Sequence, residues 1–113
     1  MGQYVNKAIQ YHSHYNPCSS SVLMAFKDVI GVSEREANRI GSPMGSGMMG
    51  TCGAVLAAQY VLKELGREAD AQRLSDAFKE KNGSVMCREI RSKRLQSCRG
   101  CVIDAATLLE EML

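Results

Sequence analysis

The sequence contains no tryptophan, two phenylalanines and four tyrosines in 113 residues. No aromatic residue is interleaved with its one basic stretch, Arg88 to Arg99, so the stacking platform of a nucleic-acid binder is missing. An excess of one charge is also lacking: 14 Lys and Arg face 12 Asp and Glu, for a net charge of +2. That balance excludes a polycationic binder. No apolar run approaches the roughly 18 residues of a membrane span. The N-terminus shows no charged region followed by an apolar stretch, so no signal peptide is readable and a cytoplasmic protein is expected. Strand-like alternation, internal repeats, low-complexity tracts and linkers are absent as well. What remains is one helical domain spanning residues 1–113.

Against these scarcities stand five cysteines and seven methionines. An odd count leaves at least one thiol outside any internal pairing. In a reducing compartment a disulfide framework is not expected. Metal ligation, redox chemistry and plain burial are the remaining explanations.

Hydrophobic spacing predicts an all-α bundle of about five to six helices. The first covers Gln3 to His14, with Tyr4, Ala8 and Tyr11 on one face. The second runs from Pro17 to Ile30 and stops at Gly31. Ser33 and Glu36 form a capping box for a short third helix ending at Gly41. The helix from Cys52 to Leu65 is apolar nearly all round and belongs in the middle of the bundle. Another spans Glu68 to Lys81, ended by Asn82 and Gly83. A turn of helix after Ser84 and a final helix to Met112 complete the chain. Tyr15, Tyr60 and the methionines read as core filler.

Four of the five cysteines fall at predicted helix starts. Asn16 caps and Pro17 opens the helix that carries Cys18. Thr51 caps the one that begins at Cys52. Ser84 precedes Cys87 by three residues, and Ser97 caps a helix beginning at Cys98. Unpaired N–H groups and partial positive charge at a helix start favour thiolate over thiol. The thiolate is both nucleophile and metal ligand. Four such starts aimed at one point would hold an anionic sulfur–metal cluster or a low-pKa redox pair.

The order Tyr15-Asn16-x-Cys18, a Gly/Met-rich loop, Thr51-Cys52-Gly53-Ala54, Cys87-Arg88-Glu89 and Cys98-x-x-x-Val102-x-Asp104-Ala105-Ala106 resembles a known family. It is similar to the small redox-active proteins named for a Cys…CGAxxG…Cys…Cys pattern. Two features depart from that pattern: Ala57 replaces the closing glycine, and Cys101 is an additional thiol. The resemblance implies a cysteine-based redox or metal site with Cys18, Cys52, Cys87 and Cys98 as its core. The family is also similar to the cysteine-bearing part of split-Soret cytochromes, where an iron–sulfur centre accompanies haem. No Cys-x-x-Cys-His occurs here, so covalent haem is not expected. His12 and His14 read as surface residues.

The loop from Gly41 to Gly50 lacks the Gly-Lys-Ser/Thr ending of a phosphate loop. Its backbone N–H groups are candidates to approach the cysteine site, with Gly53 and Arg88 in support. Lys93 and Arg94 read as a solvated connector. The expectation is therefore an electron-transfer protein binding an iron–sulfur cluster through Cys18, Cys52, Cys87 and Cys98, with Cys101 a substitute or resolving thiol. Its partner is expected to be a redox protein, with a second copy of the chain also a candidate. The alternatives are a thiol–disulfide protein, for which Cys98 and Cys101 form the easiest local pair, and a structural zinc module.

Overall fold

A computed structural model describes residues 2–45 and 50–113. Among the described residues the chain forms eight α-helices, more than the five to six expected. They are α1 (Gln3–Ser13), α2 (Cys18–Ala25), α3 (Lys27–Ile30), α4 (Glu34–Gly41), α5 (Gly53–Glu64), α6 (Glu68–Asn82), α7 (Cys87–Ser92) and α8 (Cys98–Met112), with a 3₁₀ turn at Ser42–Met44. Much of the difference lies at Phe26, whose ψ of 16° breaks the run expected over 17–30 into α2 and α3. Its fully buried ring stacks on Tyr4 with centroids 4.7 Å apart. Packing of this side chain accompanies a break that helical spacing alone does not reveal.

The local stop and start signals act as their chemistry dictates. Gly31 adopts φ 70° and ends α3, where a Cβ would be strained. Ser33 Oγ accepts a hydrogen bond from the Glu36 N–H at 3.1 Å and caps α4. Ser97 Oγ accepts one from the Gly100 N–H at 2.9 Å and caps α8.

Two helices occupy the centre. Helix α5 packs on α2, α6 and α8, and α2 packs on α1, α4, α5 and α8. Every residue of α2 is buried, including Ser19, Ser20 and Ser21. Such a run of hydroxyls tolerates burial only if it is hydrogen-bonded. Ser19 Oγ donates to the Gly41 carbonyl at 2.6 Å, and Ser21 Oγ donates to the Pro17 carbonyl at 2.9 Å. The first bond depends on close backbone approach, because a Cβ on Gly41 would lie 2.8 Å from the Ser20 Cα.

Tyr15 departs from the core role expected of it. It is 98% exposed and holds a left-handed φ of 66°, turning the chain between α1 and α2. Among the described residues no helix is long and apolar enough to cross a membrane.

Candidate functional site

Each cysteine is placed by its own piece of local structure, and three of the four helix starts differ in detail from expectation. Cys18 is the first residue of α2, but Pro17 sits at the cap position. The Asn16 side chain instead donates to the Tyr11 carbonyl at 2.8 Å. Cys52 is itself the cap residue of α5. Thr51 is taken up in an isolated antiparallel bridge with Met86. Through that bridge the Cys52 N–H donates to the Val85 carbonyl at 2.7 Å, and the Cys87 N–H donates to the Gly50 carbonyl at 3.0 Å. Two residues far apart in sequence are thereby held side by side. Ser84 does not cap α7; its hydroxyl accepts from the Met86 N–H at 3.0 Å, just ahead of Cys87. Cys98 follows its Ser97 cap as the first residue of α8.

These elements converge on one cavity of about 120 Å³, lined by Cys18, Cys52, Cys87, Cys98 and Cys101 together with His12, Pro17, Ile90, Arg91 and Gln96. No disulfide links any of the five cysteines. Cys101 donates a hydrogen bond to the Cys52 sulfur, which draws the Cys52 pKa below its ordinary value against the effect of burial. The Val55 and Ala54 N–H groups act in the same direction. Cys101, as the donor in that pair, is pushed strongly up. Cys98 is likewise pushed up, because its thiol is hydrogen-bonded to Cys18 and partly desolvated. Burial also raises Cys87, with Arg91 opposing. The cavity is therefore flanked by two thiol pairs, Cys52–Cys101 and Cys18–Cys98, with Cys87 at the head of α7. The local pair Cys98–Cys101 is not the one that forms.

Among the described residues no three His, Cys, Asp or Glu side chains are grouped as ligands of a single metal ion. The cavity explains this in part. A water needs about 10–15 Å³ of such space, so the gap between the thiols has room for a group of several heavy atoms.

Gly53 contributes by having no side chain. A Cβ there would lie 2.7 Å from the Met44 carbonyl oxygen and 2.8 Å from the Cys18 sulfur. Arg88 is exposed and does not line the cavity; the guanidinium that does is Arg91, one turn further along α7. His12 was read from the sequence as a surface residue, yet it lines the cavity. Burial and the charge of Arg99 lower its pKa. A signal was present: Val5, Ala8 and His12 share one helical face, and the first two are fully buried. His14 is exposed. The Gly/Met-rich loop lies in part outside the described residues, at Ser46, Gly47, Met48 and Met49.

The connector before Cys98 is pinned by polar contacts. Gln96 Nε2 donates to Asn82 Oδ1 and to Asp104 Oδ2, both at 3.4 Å, while Asp104 pairs with Lys81 at 3.1 Å. Asp104 is buried within the Val102-x-Asp104-Ala105-Ala106 segment. Replacing Asp104 by alanine is expected to cost about 1 kcal/mol, because Lys81 is half exposed and screened. Urea unfolding midpoints measure the cost, and faster alkylation of Cys98 reports the loosened connector.

A family model described as "Putative redox-active protein (C_GCAxxG_C_C)" matches residues 15–112. Its central motif is Gly-Cys-Ala-x-x-Gly, not the Cys-Gly-Ala-x-x-Gly expected from the sequence. This chain reads Thr51-Cys52-Gly53-Ala54-Val55-Leu56 there, so Thr51, Gly53 and Leu56 are the departures and Ala57 is not. No curated protein and no solved structure gives a significant match.

Proposed function

The chain belongs to this redox-active cysteine family, and on that premise we propose that its five-thiol cavity is a redox centre that binds an iron–sulfur cluster and passes electrons to a partner protein. The observation that carries the reading is the convergence of Cys18, Cys52, Cys87 and Cys98 on one cavity of about 120 Å³, which Cys101 also lines. The donor chemistry fits, since soft thiolates select iron–sulfur clusters, zinc or copper(I), and four thiolates meet the requirement of a two-iron or four-iron cluster. A cavity of about 120 Å³ between the thiols, with no three of the described side chains grouped on one metal ion, favours a polynuclear group over a single zinc ion, for which all the sulfurs must close on one point. Such a cluster, when bound, supplies one-electron chemistry.

The chain's own residues set the conditions for that chemistry. Ionisation of Cys52 is favoured by the Cys101 thiol and by the N–H groups at the start of α5. Cys101 stays protonated and serves as a hydrogen-bond donor to a ligand sulfur, one of the levers on cluster potential. Arg91 offsets negative charge gathered at Cys87 and Cys98. Ile90 and Pro17 limit the access of water from the sides.

The hydrogen bond between Cys52 and Cys101 favours a second reading, a thiol–disulfide centre. There the two thiols would form one S–S bond and give up two electrons and two protons to an oxidising disulfide partner.

Anaerobic purification or reconstitution with iron and sulfide tests the choice. The expected product is brown, with visible absorbance that bleaches on reduction, and with iron and acid-labile sulfide in the same fraction. A colourless protein carrying zinc, or one without metal that cycles a Cys52–Cys101 disulfide, overturns the cluster.

A further inference from the structure

Residues 87–101 carry Arg88, Arg91, Lys93, Arg94 and Arg99 against the single acid Glu89, a net +4. The whole chain carries +2, so everything outside this segment sums to −2. All five cations are exposed. Among the described residues only Lys93 has an acidic partner, Glu89 at 3.5 Å. Four arginines with no carboxylate partner among the described residues are thus concentrated in the segment that carries Cys87 and Cys98.

Their arrangement is not that of a featureless solvated connector. A shallow groove of about 530 Å³ runs between Arg91, Arg94, Leu95, Gln96, Ser97 and Cys98. Arg91, Gln96 and Cys98 belong to both this groove and the thiol cavity, so the first opens directly onto the second. Arg94 closes the end of α7 with a left-handed φ of 51°, a conformation that costs a non-glycine residue energy. Leu95 follows it and remains 40% exposed. Two unneutralised guanidiniums flank an aliphatic contact and an exposed thiol.

We propose that this groove is the docking surface for an acidic face of the electron-exchanging partner protein, guiding its carboxylates onto Arg91 and Arg94 and its reactive group toward Cys98. The proposal rests on reading the cavity as the redox centre. Charge complementarity selects the partner's sign, and Leu95 supplies an apolar contact of the kind found inside protein interfaces. The segment has no aromatic side chain on which a base could stack, which disfavours an oligonucleotide as the occupant.

Two disulfide reagents test the groove on the reduced full-length chain: the dianion dithiobis(nitrobenzoate) and uncharged dithiodipyridine. With either one, a protein thiolate attacks a reagent sulfur, a mixed disulfide forms, the reagent S–S bond breaks, and the aryl thiolate leaves with the electron pair. The ratio of the two rates cancels the intrinsic nucleophilicity of the thiol and reports the field along its approach. In low salt the ratio is expected to favour the dianion by on the order of tenfold and to collapse in high salt. Arg94→Gln, which removes a guanidinium that lines the groove but not the thiol cavity, should lower that preference severalfold while leaving the dithiodipyridine rate unchanged, which also shows that the variant is folded. An aspartate-rich peptide should slow the dianion more than an oligonucleotide of equal charge does. A ratio insensitive to salt or to Arg94→Gln overturns the proposal, as does stronger protection by the oligonucleotide. Failure of the chain to take up iron and sulfide would instead sink the cluster reading and leave the anion preference standing.

Discussion

Cys52→Ser is expected to abolish visible absorbance and bound iron after anaerobic purification, whereas Cys101→Ser retains both. The two thiols touch, yet the structure gives them different tasks. Cys52 caps α5, carries the lowered pKa and has its backbone fixed by the bridge to Val85. A serine there offers a hard, protonated oxygen where a soft thiolate is required. Cys101 is the donor of the pair, and a serine hydroxyl preserves that donation. Its loss as a donor is better seen in Cys101→Ala, which should keep the cluster and shift its potential. Losses among neighbouring ligands and their hydrogen-bond partners are typically about 10–100-fold in metal affinity, so iron retention at limiting iron gives the finer scale. Equal loss of iron in Cys52→Ser and Cys101→Ser would make Cys101 a ligand and reopen the assignment of the other four.

Gly53→Ala is expected to damage both the site and the fold. The added methyl meets the Met44 carbonyl and the Cys18 sulfur inside contact distance, and backbone at Met44 is the less able to give way. Overpacking of this kind costs about 1–3 kcal/mol. Gly53 is the first residue of α5, so the helix propensity of alanine, a helix-interior effect, recovers little of that cost. Cys18 is the softer neighbour, so it moves, and its hydrogen bond with Cys98 breaks. A lower urea midpoint together with changed reactivity of Cys98 is the expected result. An unchanged midpoint with unchanged reactivity would mean that α5 and the Ser42–Met44 turn can separate freely. The family motif has alanine directly after its cysteine, so Gly53 is this chain's own departure, and it sits where Met44 and Cys18 leave no room for a side chain. Ala57, one turn further along α5, is accommodated fully buried.

Where a feature depended on neighbours within a turn or two, it was readable from residue order. Ser33 and Ser97 cap because a short hydroxyl next to free N–H groups has few other options. Gly31 and Gly83 end helices because both hold the left-handed conformation a side chain resists. Cys18 and Cys98 at the head of α2 and α8 follow from the same rules. The errors arose where a local motif competed with a distant one. Thr51 looked like a cap but is drawn into a bridge with Met86, leaving Cys52 to take the cap position. Burial of three consecutive serines in α2 likewise depends on distant groups, since the Gly41 carbonyl accepts from Ser19 Oγ across the fold. His12 was grouped with His14 by nearness in sequence, although its helical face is that of Val5 and Ala8.

The sequence by itself determined that this protein is helical, where most of its helices start and stop, and that its chemistry is that of cysteine. Those outcomes follow from periodicity, caps and residue type, all of which act over a few residues. Tertiary structure alone decided which thiols become partners. Cys98 and Cys101 are three residues apart, but α8 delivers them to different neighbours, Cys18 from α2 and Cys52 from the head of α5. A cysteine's pKa is set by what lies within a few ångströms of its sulfur, and in this fold those atoms come from helices separated by tens of residues.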